Sequence, residues 1–146
     1  MRRRIAAYLT AIVVAVLAAG CAKPVESVVC HVNPLKWSRP AEIEYDNRDT
    51  ISLRTISFYV RTNSAFDAKE LPVSIGIESP DSTLCTELQT WSFDSESTPA
   101  PTRAIKRIGY RNHCKLNKKG IYKFAVTPTE PAHGIEAVGL IIEKER

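Results

Sequence analysis

The chain has 146 residues, 44% of them hydrophobic, and carries 20 Lys and Arg against 16 Asp and Glu, a formal charge of +4. Three of the cations, Arg2, Arg3 and Arg4, fall in a leader expected to be removed, which leaves 17 against 16. So balanced a remainder gives no argument for binding nucleic acid or anionic lipid, and its 126 residues suit one domain around one core.

Arg2–Arg4 are followed by an apolar run over 5–17, interrupted only by Tyr8 and Thr10, and then by Ala18-Ala19-Gly20-Cys21. A positive start, an apolar middle and a small-residue close form a secretory signal. The terminal cysteine gives it the form of a bacterial lipoprotein signal, cut before Cys21, with lipid carried on that sulfur. Ala18 stands three before the cysteine, where Leu is commonest; Leu17 lies one position further out. The 16 residues of 5–20 fall short of the roughly 20 that a spanning helix needs, and no later stretch reaches ten consecutive apolar residues. The expected organisation is a signal over 1–20, a lipidated tether over 21–27 containing Pro24, and a single domain over 28–146 held to a membrane by lipid alone.

A first strand is expected at 28–32. Asn33-Pro34 and Arg39-Pro40 break it, with Trp37 between them. Over 41–45, Ile43 and Tyr45 share one face and Glu42 and Glu44 the other, and 46–49 is a turn. The longest strand candidate, 51–61, changes phase: Ile51 and Leu53 sit on odd positions, Ile56, Phe58 and Val60 on even ones. A β-bulge near Arg54-Thr55 would reconcile the two. A polar loop with Phe66 follows over 62–69. Leu71, Val73, Ile75 and Ile77 then alternate with Ser74, Gly76 and Glu78, as in a half-buried antiparallel strand, with Pro72 near its start. After a turn at 79–82, strands are expected at 84–93 and 103–116, separated by a Ser/Thr/Pro loop over 94–102. A turn over 117–120 leads to a strand over 121–127 with Tyr122, Phe124 and Val126 inward. Past a loop over 128–134, the final strand at 135–143 is apolar enough to be covered on both faces. Seven to nine short strands, nine prolines and no amphipathic helix longer than two turns read as an all-β antiparallel sandwich. Jelly-roll connectivity is one arrangement this spacing permits.

With Cys21 lipidated, Cys30, Cys85 and Cys114 remain, in an exported domain where disulfides persist. A hairpin of the 84–93 and 103–115 segments, centred between Pro99 and Ala100, sets Cys85 opposite Cys114. A bridge there closes a loop of about 30 residues, worth roughly 3.5 kcal/mol, and leaves Cys30 a free thiol packed as a small hydrophobe; Cys30–Cys85 and Cys30–Cys114 are the competing pairs. Cys30-His31 and His113-Cys114 invite a metal reading, but neighbours on a strand point to opposite faces and no Cys-x-x-Cys spacing exists, so no metal is expected. The histidines His31, His113 and His133 lie in no triad context. There is no Gly-x-Ser-x-Gly, His-Glu-x-x-His or phosphate-binding glycine loop, and Glu42 and Glu44 read as a solvated strand face. No catalytic residue and no cofactor are expected. Trp37, Trp91, Tyr59, Tyr110 and Tyr122 read as core or cross-strand packing, unless one sheet face exposes them to a ligand.

Gly120-Ile121-Tyr122-Lys123-Phe124 and Gly134-Ile135-Glu136-Ala137-Val138-Gly139-Leu140 resemble the two C-terminal strands of the gliding-motility lipoprotein H family of the Bacteroidetes. Val60-Arg61, Phe66 and Leu71-Pro72-Val73-Ser74-Ile75 are similar to that family's arginine-ended strand, aromatic loop and following strand, and Asp81 to Leu84 loosely to its Pro-x-x-x-Asp-Thr region. The likeness runs from about Trp37 to Glu143. It departs at Thr127-Pro128-Thr129-Glu130, where the family has Met-Arg, and Trp91 only echoes the family's Gly-x-Trp segment. It implies an accessory lipoprotein of a gliding or secretion apparatus and assigns no catalytic residue. Gly134 is expected to permit a turn and Gly139 a close approach.

The functional expectation is a non-enzymatic lipoprotein of the cell envelope, at the outer membrane by its Ala22 after the cysteine, acting through protein partners and not on nucleic acid. A glycan- or ligand-binding sandwich is the alternative and requires an exposed Trp37 or Trp91. A hydrolase ranks third and requires two carboxyl groups facing one cleft.

Overall fold

The computed structural model describes residues 25–93 and 102–145. The expected signal, Cys21, the first part of the expected tether and most of the 94–102 loop lie outside the described residues. The described chain forms eight strands: β1 (Val25–His31), β2 (Ala41–Asn47), β3 (Arg54–Asn63), β4 (Glu70–Glu78), β5 (Leu84–Ser92), β6 (Arg103–Cys114), β7 (Gly120–Pro128) and β8 (Ile135–Lys144). They build two four-stranded sheets, β1-β8-β3-β6 and β2-β7-β4-β5, antiparallel throughout. The all-β sandwich is thus the fold. Every connection crosses between sheets except the β4–β5 turn. The pairs β4–β5, β3–β6, β2–β7 and β1–β8 nest around that turn like one long folded hairpin, which is jelly-roll connectivity.

The alternating segments become strands because period two lets one face meet the other sheet. On β2 the inward set is Ala41, Ile43, Tyr45 and Asn47, and on β7 it is Tyr122, Phe124, Val126 and Pro128. The centre of the core is aromatic: the Phe58 ring lies 5.6 Å from Trp91, 5.2 Å from Tyr110 and 6.4 Å from Phe124. Burying each such ring contributes about 2–3 kcal/mol. β8 is covered on both sides as expected. Its inner face supplies Val138, Leu140 and Ile142, and on its outer face the Tyr59 ring lies across Gly139, where a Cβ would come within 1.9 Å of the ring.

Several details differ from expectation. β1 begins at Val25, so Val25, Glu26 and Ser27 of the expected tether already pair with β8. β3 begins at Arg54, and Ile51 and Leu53 lie in the preceding loop, 79% and 40% exposed; their odd phase needs no bulge in β3. The extra residues sit in β6. Between Arg54↔Cys114 and Ile56↔Arg111, β6 spends two residues against one, and Tyr110 has no opposite number before Ser57↔Gly109. His113 takes a positive φ of 51° there.

The β5–β6 hairpin does not form, because β5 pairs with β4 and β6 with β3 in the other sheet. Cys85 therefore lies opposite Ile77 and Cys114 opposite Arg54. The expected Cys85–Cys114 bridge is absent; Cys30, Cys85 and Cys114 are free thiols. Cys114 donates its S–H to the Arg54 carbonyl at 3.3 Å, and burial pushes its pKa up. Cys30 packs against the core, as a free thiol in that position was expected to.

Because the strands run antiparallel, their connections collect at two poles. The near pole, where β1 starts, carries loops 48–53, 79–83 and 115–119. The far pole, where β1 ends, carries loops 32–40, 64–69 and 129–134.

Candidate functional site

The far pole has the longer loops, and backbone hydrogen bonds lock them to one another. In the β1–β2 loop, Asn33 makes an Asx turn by accepting the Leu35 N–H on its Oδ1 at 3.0 Å, and its carbonyl accepts Lys36 N–H at 3.2 Å. Trp37 then forms a two-way bridge with Ala132 of the β7–β8 loop, at 2.8 and 2.9 Å. Its indole is 1% exposed and donates to the Arg39 carbonyl at 2.8 Å. Gly134 N–H reaches the Pro34 carbonyl at 2.8 Å, and the Gly134 carbonyl accepts Asn63 N–H at 2.9 Å. Phe66 of the β3–β4 loop stacks edge-on against Phe93, centroids 4.7 Å apart. Its backbone passes so close to Gly134 that a Cβ there would meet Phe66 N at 2.3 Å, and Gly134 takes φ +76°. The turn expected at Gly134 is present, and the Phe66 contact adds a second requirement for glycine.

Two open depressions result. One, of about 580 Å³, is lined by residues 30–33 and 36–40 and carries Lys36 and Arg39. The other, of about 370 Å³, lies between the β3–β4 and β7–β8 loops and carries Asp67, Glu70 and Glu130. One rigid end thus presents a basic hollow beside an acidic one, with Leu35 78% exposed at the rim. Such a surface can recognise a partner by shape and charge. Its histidines meet no carboxylate among the described residues: His133 Nδ1 lies 2.5 Å from the Leu35 carbonyl, and His31 Nδ1 lies 3.4 Å from Arg61.

The fold separates the other residues singled out in the sequence. Cys30-His31 ends β1 at the far pole, whereas His113-Cys114 ends β6 at the near pole, so the two pairs never meet. His113 lies against Glu145 at 2.5 Å. Glu42 and Glu44 share the outer face of their sheet, opposite Ala125 and Lys123. Trp37 and Trp91 are both core residues, 1% and 0% exposed. The glycan-binding alternative needed one of them exposed and loses its support.

Sequence reasoning missed the near-pole charge cluster. Arg54, 1% exposed, donates to Tyr45 OH at 2.5 Å and to the Asp49 carbonyl at 2.7 Å. Its Nε has no hydrogen-bond partner among the described residues. Lys144 reaches Asp49 Oδ2 at 2.8 Å. That hydrogen bond, with those from Ser52 and Ile51, holds the Asp49 carboxyl well below the usual carboxylate range. The signal available was a single arginine on the inward phase of an apolar strand.

No protein-family model matches the chain, and no curated protein matches it. Solved structures do. A chain in the structure of infectious bursal disease virus, Gx strain, shares 11% identity with a TM-score of 0.42, over 83% of this chain and 32% of that one. Dimeric latent PorU from Porphyromonas gingivalis shares 9% identity with a TM-score of 0.37, over 86% of this chain and 14% of that one. The chain therefore spans about a third and a seventh of the lengths of these two, and neither likeness carries a functional argument.

Proposed function

We propose that the protein is a non-enzymatic lipoprotein of the cell envelope, anchored at the outer membrane through lipid on Cys21, and that it acts by presenting its far pole to protein partners. The observation that carries this reading is the Arg2–Arg4, apolar, Ala-Ala-Gly-Cys sequence of residues 2–21. The position of Val25, four residues later and at the pole opposite the long loops, supports it. An anchor at one end leaves the interlocked loops at the other facing outward. Preorganised loops lose little conformational entropy on binding, which favours recognition. The specific partner class we propose, from the resemblance of the 120–124 and 134–140 segments, is a component of a gliding or secretion apparatus.

Metabolic labelling with palmitate, followed by mild crosslinking and purification from membranes, tests both parts. Label should enter the wild type and be lost in Cys21→Ala. Crosslinked envelope proteins should be recovered with wild type and lost with a Leu35→Asp, Lys36→Glu variant. Recovery unchanged by that variant would remove the far pole as the binding surface. Absence of label would remove the anchor.

A further inference from the structure

We propose that the near pole is itself a membrane-contact surface, seated on the phospholipid headgroups rather than suspended above them. This rests on the lipoprotein reading above. Three residues, Ala22, Lys23 and Pro24, separate Cys21 from Val25, and the four Cα–Cα steps between the two span at most about 14 Å when fully extended. The ten residues of β3 alone extend about 33 Å. The attached end is therefore held within about 14 Å of the lipidated cysteine, while the far pole lies a domain's length further out.

That end also displays apolar side chains. Of the ten large hydrophobic side chains exposed among the described residues, five ring the near pole: Val25, Ile51, Leu53, Leu84 and Ile121. Ile51 projects from a loop that cannot fold it away. Asp49 Oδ1 accepts the N–H groups of Ile51 and Ser52 at 3.0 and 3.1 Å, Asp49 Oδ2 accepts the Ser52 hydroxyl at 2.6 Å, and the Leu53 carbonyl is taken by Glu145 N–H at 2.9 Å.

Lys118 is paired with Asp81 and Lys144 with Asp49, but Lys115 and Lys119, both exposed on the 115–119 loop, have no carboxylate partner among the described residues. A rigid apolar tip beside unneutralised lysines suits the boundary between acyl chains and phosphate headgroups. The chain's near-neutral total does not oppose this, because the contact is local.

The test uses the full lipidated protein in phosphatidylethanolamine/phosphatidylglycerol vesicles, recovered by flotation and treated with a membrane-impermeant amine-acylating reagent. Labelling at each lysine is normalised to the unfolded chain. Loss of labelling at Lys115 and Lys119, with Lys36 and Lys69 still labelled, is the expected result. An Ile51→Glu variant should float equally well and regain labelling at Lys115 and Lys119. If wild type floats and Lys115 and Lys119 are labelled as fully as Lys36, the contact is overturned and the anchor stands. If the chain does not float, both are overturned.

Discussion

The two poles of the sandwich draw on different balances of forces. At the far pole the loops are tied chiefly by backbone hydrogen bonds and rings, the Trp37–Ala132 bridge, the Gly134 links to Pro34 and Asn63, and Phe66 on Phe93, with one ion-pair cluster of Glu136 with Arg61 and Arg103 at the strand ends. At the near pole ionised side chains tie more of the loops, Asp49 with Lys144 and Arg54, Asp81 with Lys118, and Glu145 with Thr55 and His113, beside the buried Asn47 amide on the Leu116 and Lys118 carbonyls. Packing sets a geometry that salt and pH barely touch. Charge ties are open to both. A surface that must keep its shape for a partner is better built the first way. A surface that lies against headgroups gains from groups that exchange one charged neighbour for another.

The contrast fails if the far pole does not depend on its rings. Trp37→Ala should therefore show the largest effect, a loss of about 3–5 kcal/mol in denaturant unfolding, since it empties a buried site and frees the β1–β2 loop. A loss below about 1 kcal/mol would mean that the loops hold each other without the indole. A pair of glycines gives a second comparison at matched chemistry. Both have positive φ, 76° at Gly134 and 125° at Gly120. An alanine at Gly134 meets the Phe66 backbone at 2.3 Å, which cannot yield cheaply, whereas one at Gly120 meets the Pro80 ring at 3.1 Å. Gly134→Ala should cost about 3 kcal/mol and Gly120→Ala on the order of 1.5 kcal/mol by thermal unfolding. Equal costs would show backbone strain alone at work, with no contribution from the far-pole contact.

How much of this was legible in the sequence depended on whether the controlling contact was local. Strands β2, β4 and β7 were readable because alternation is a property of adjacent residues. The sandwich followed from them. Pairing was not readable. The expectation of a hairpin around Pro99 assumed that neighbours in sequence pair, yet only the β4–β5 connection is a hairpin and the other pairs nest around it. That one error set Cys85 opposite Cys114, which lie in separate sheets. Ile51 and Leu53 misled for a related reason. An apolar residue one phase off a strand looks like a bulge until the strand is seen to begin at Arg54. The far pole was invisible in outline, because its depressions depend on Trp37 reaching Ala132. Arg54 carried a weak signal that binary patterning discards: a cation on the inward phase, tolerable only because Tyr45 and Asp49 supply acceptors.

Acid should separate the poles. The Lys144 hydrogen bond chiefly lowers the Asp49 pKa, the Lys118 hydrogen bond brings Asp81 to about 2, and the Thr55 hydrogen bond chiefly lowers Glu145. A carboxyl whose folded pKa lies below its unfolded value, near 4, contributes stability that is fully present above about pH 4 and is lost as pH falls towards the folded value. The thermal midpoint should be level above pH 5 and fall between about pH 4 and 2. Asp49→Asn should lower the plateau and make that fall shallower. Hydrogen exchange across the same range should quicken first in 48–53 and 115–119, with 32–40 and 129–134 unchanged. Simultaneous loosening at both ends would remove the distinction.

The smallest effect is expected at Ile51, and its smallness is the point. The side chain is 79% exposed, and the loop that presents it is fixed by Asp49 and Ser52, not by packing of the isoleucine. Ile51→Ser should leave unfolding free energy within about 0.5 kcal/mol of wild type. An apolar residue that folding does not use, on a loop built rigidly enough to keep it outward, is retained at no benefit to the isolated domain. A measured loss well above that value would mean that Ile51 packs on its own protein, and the near pole would then be an ordinary closed end of the sandwich.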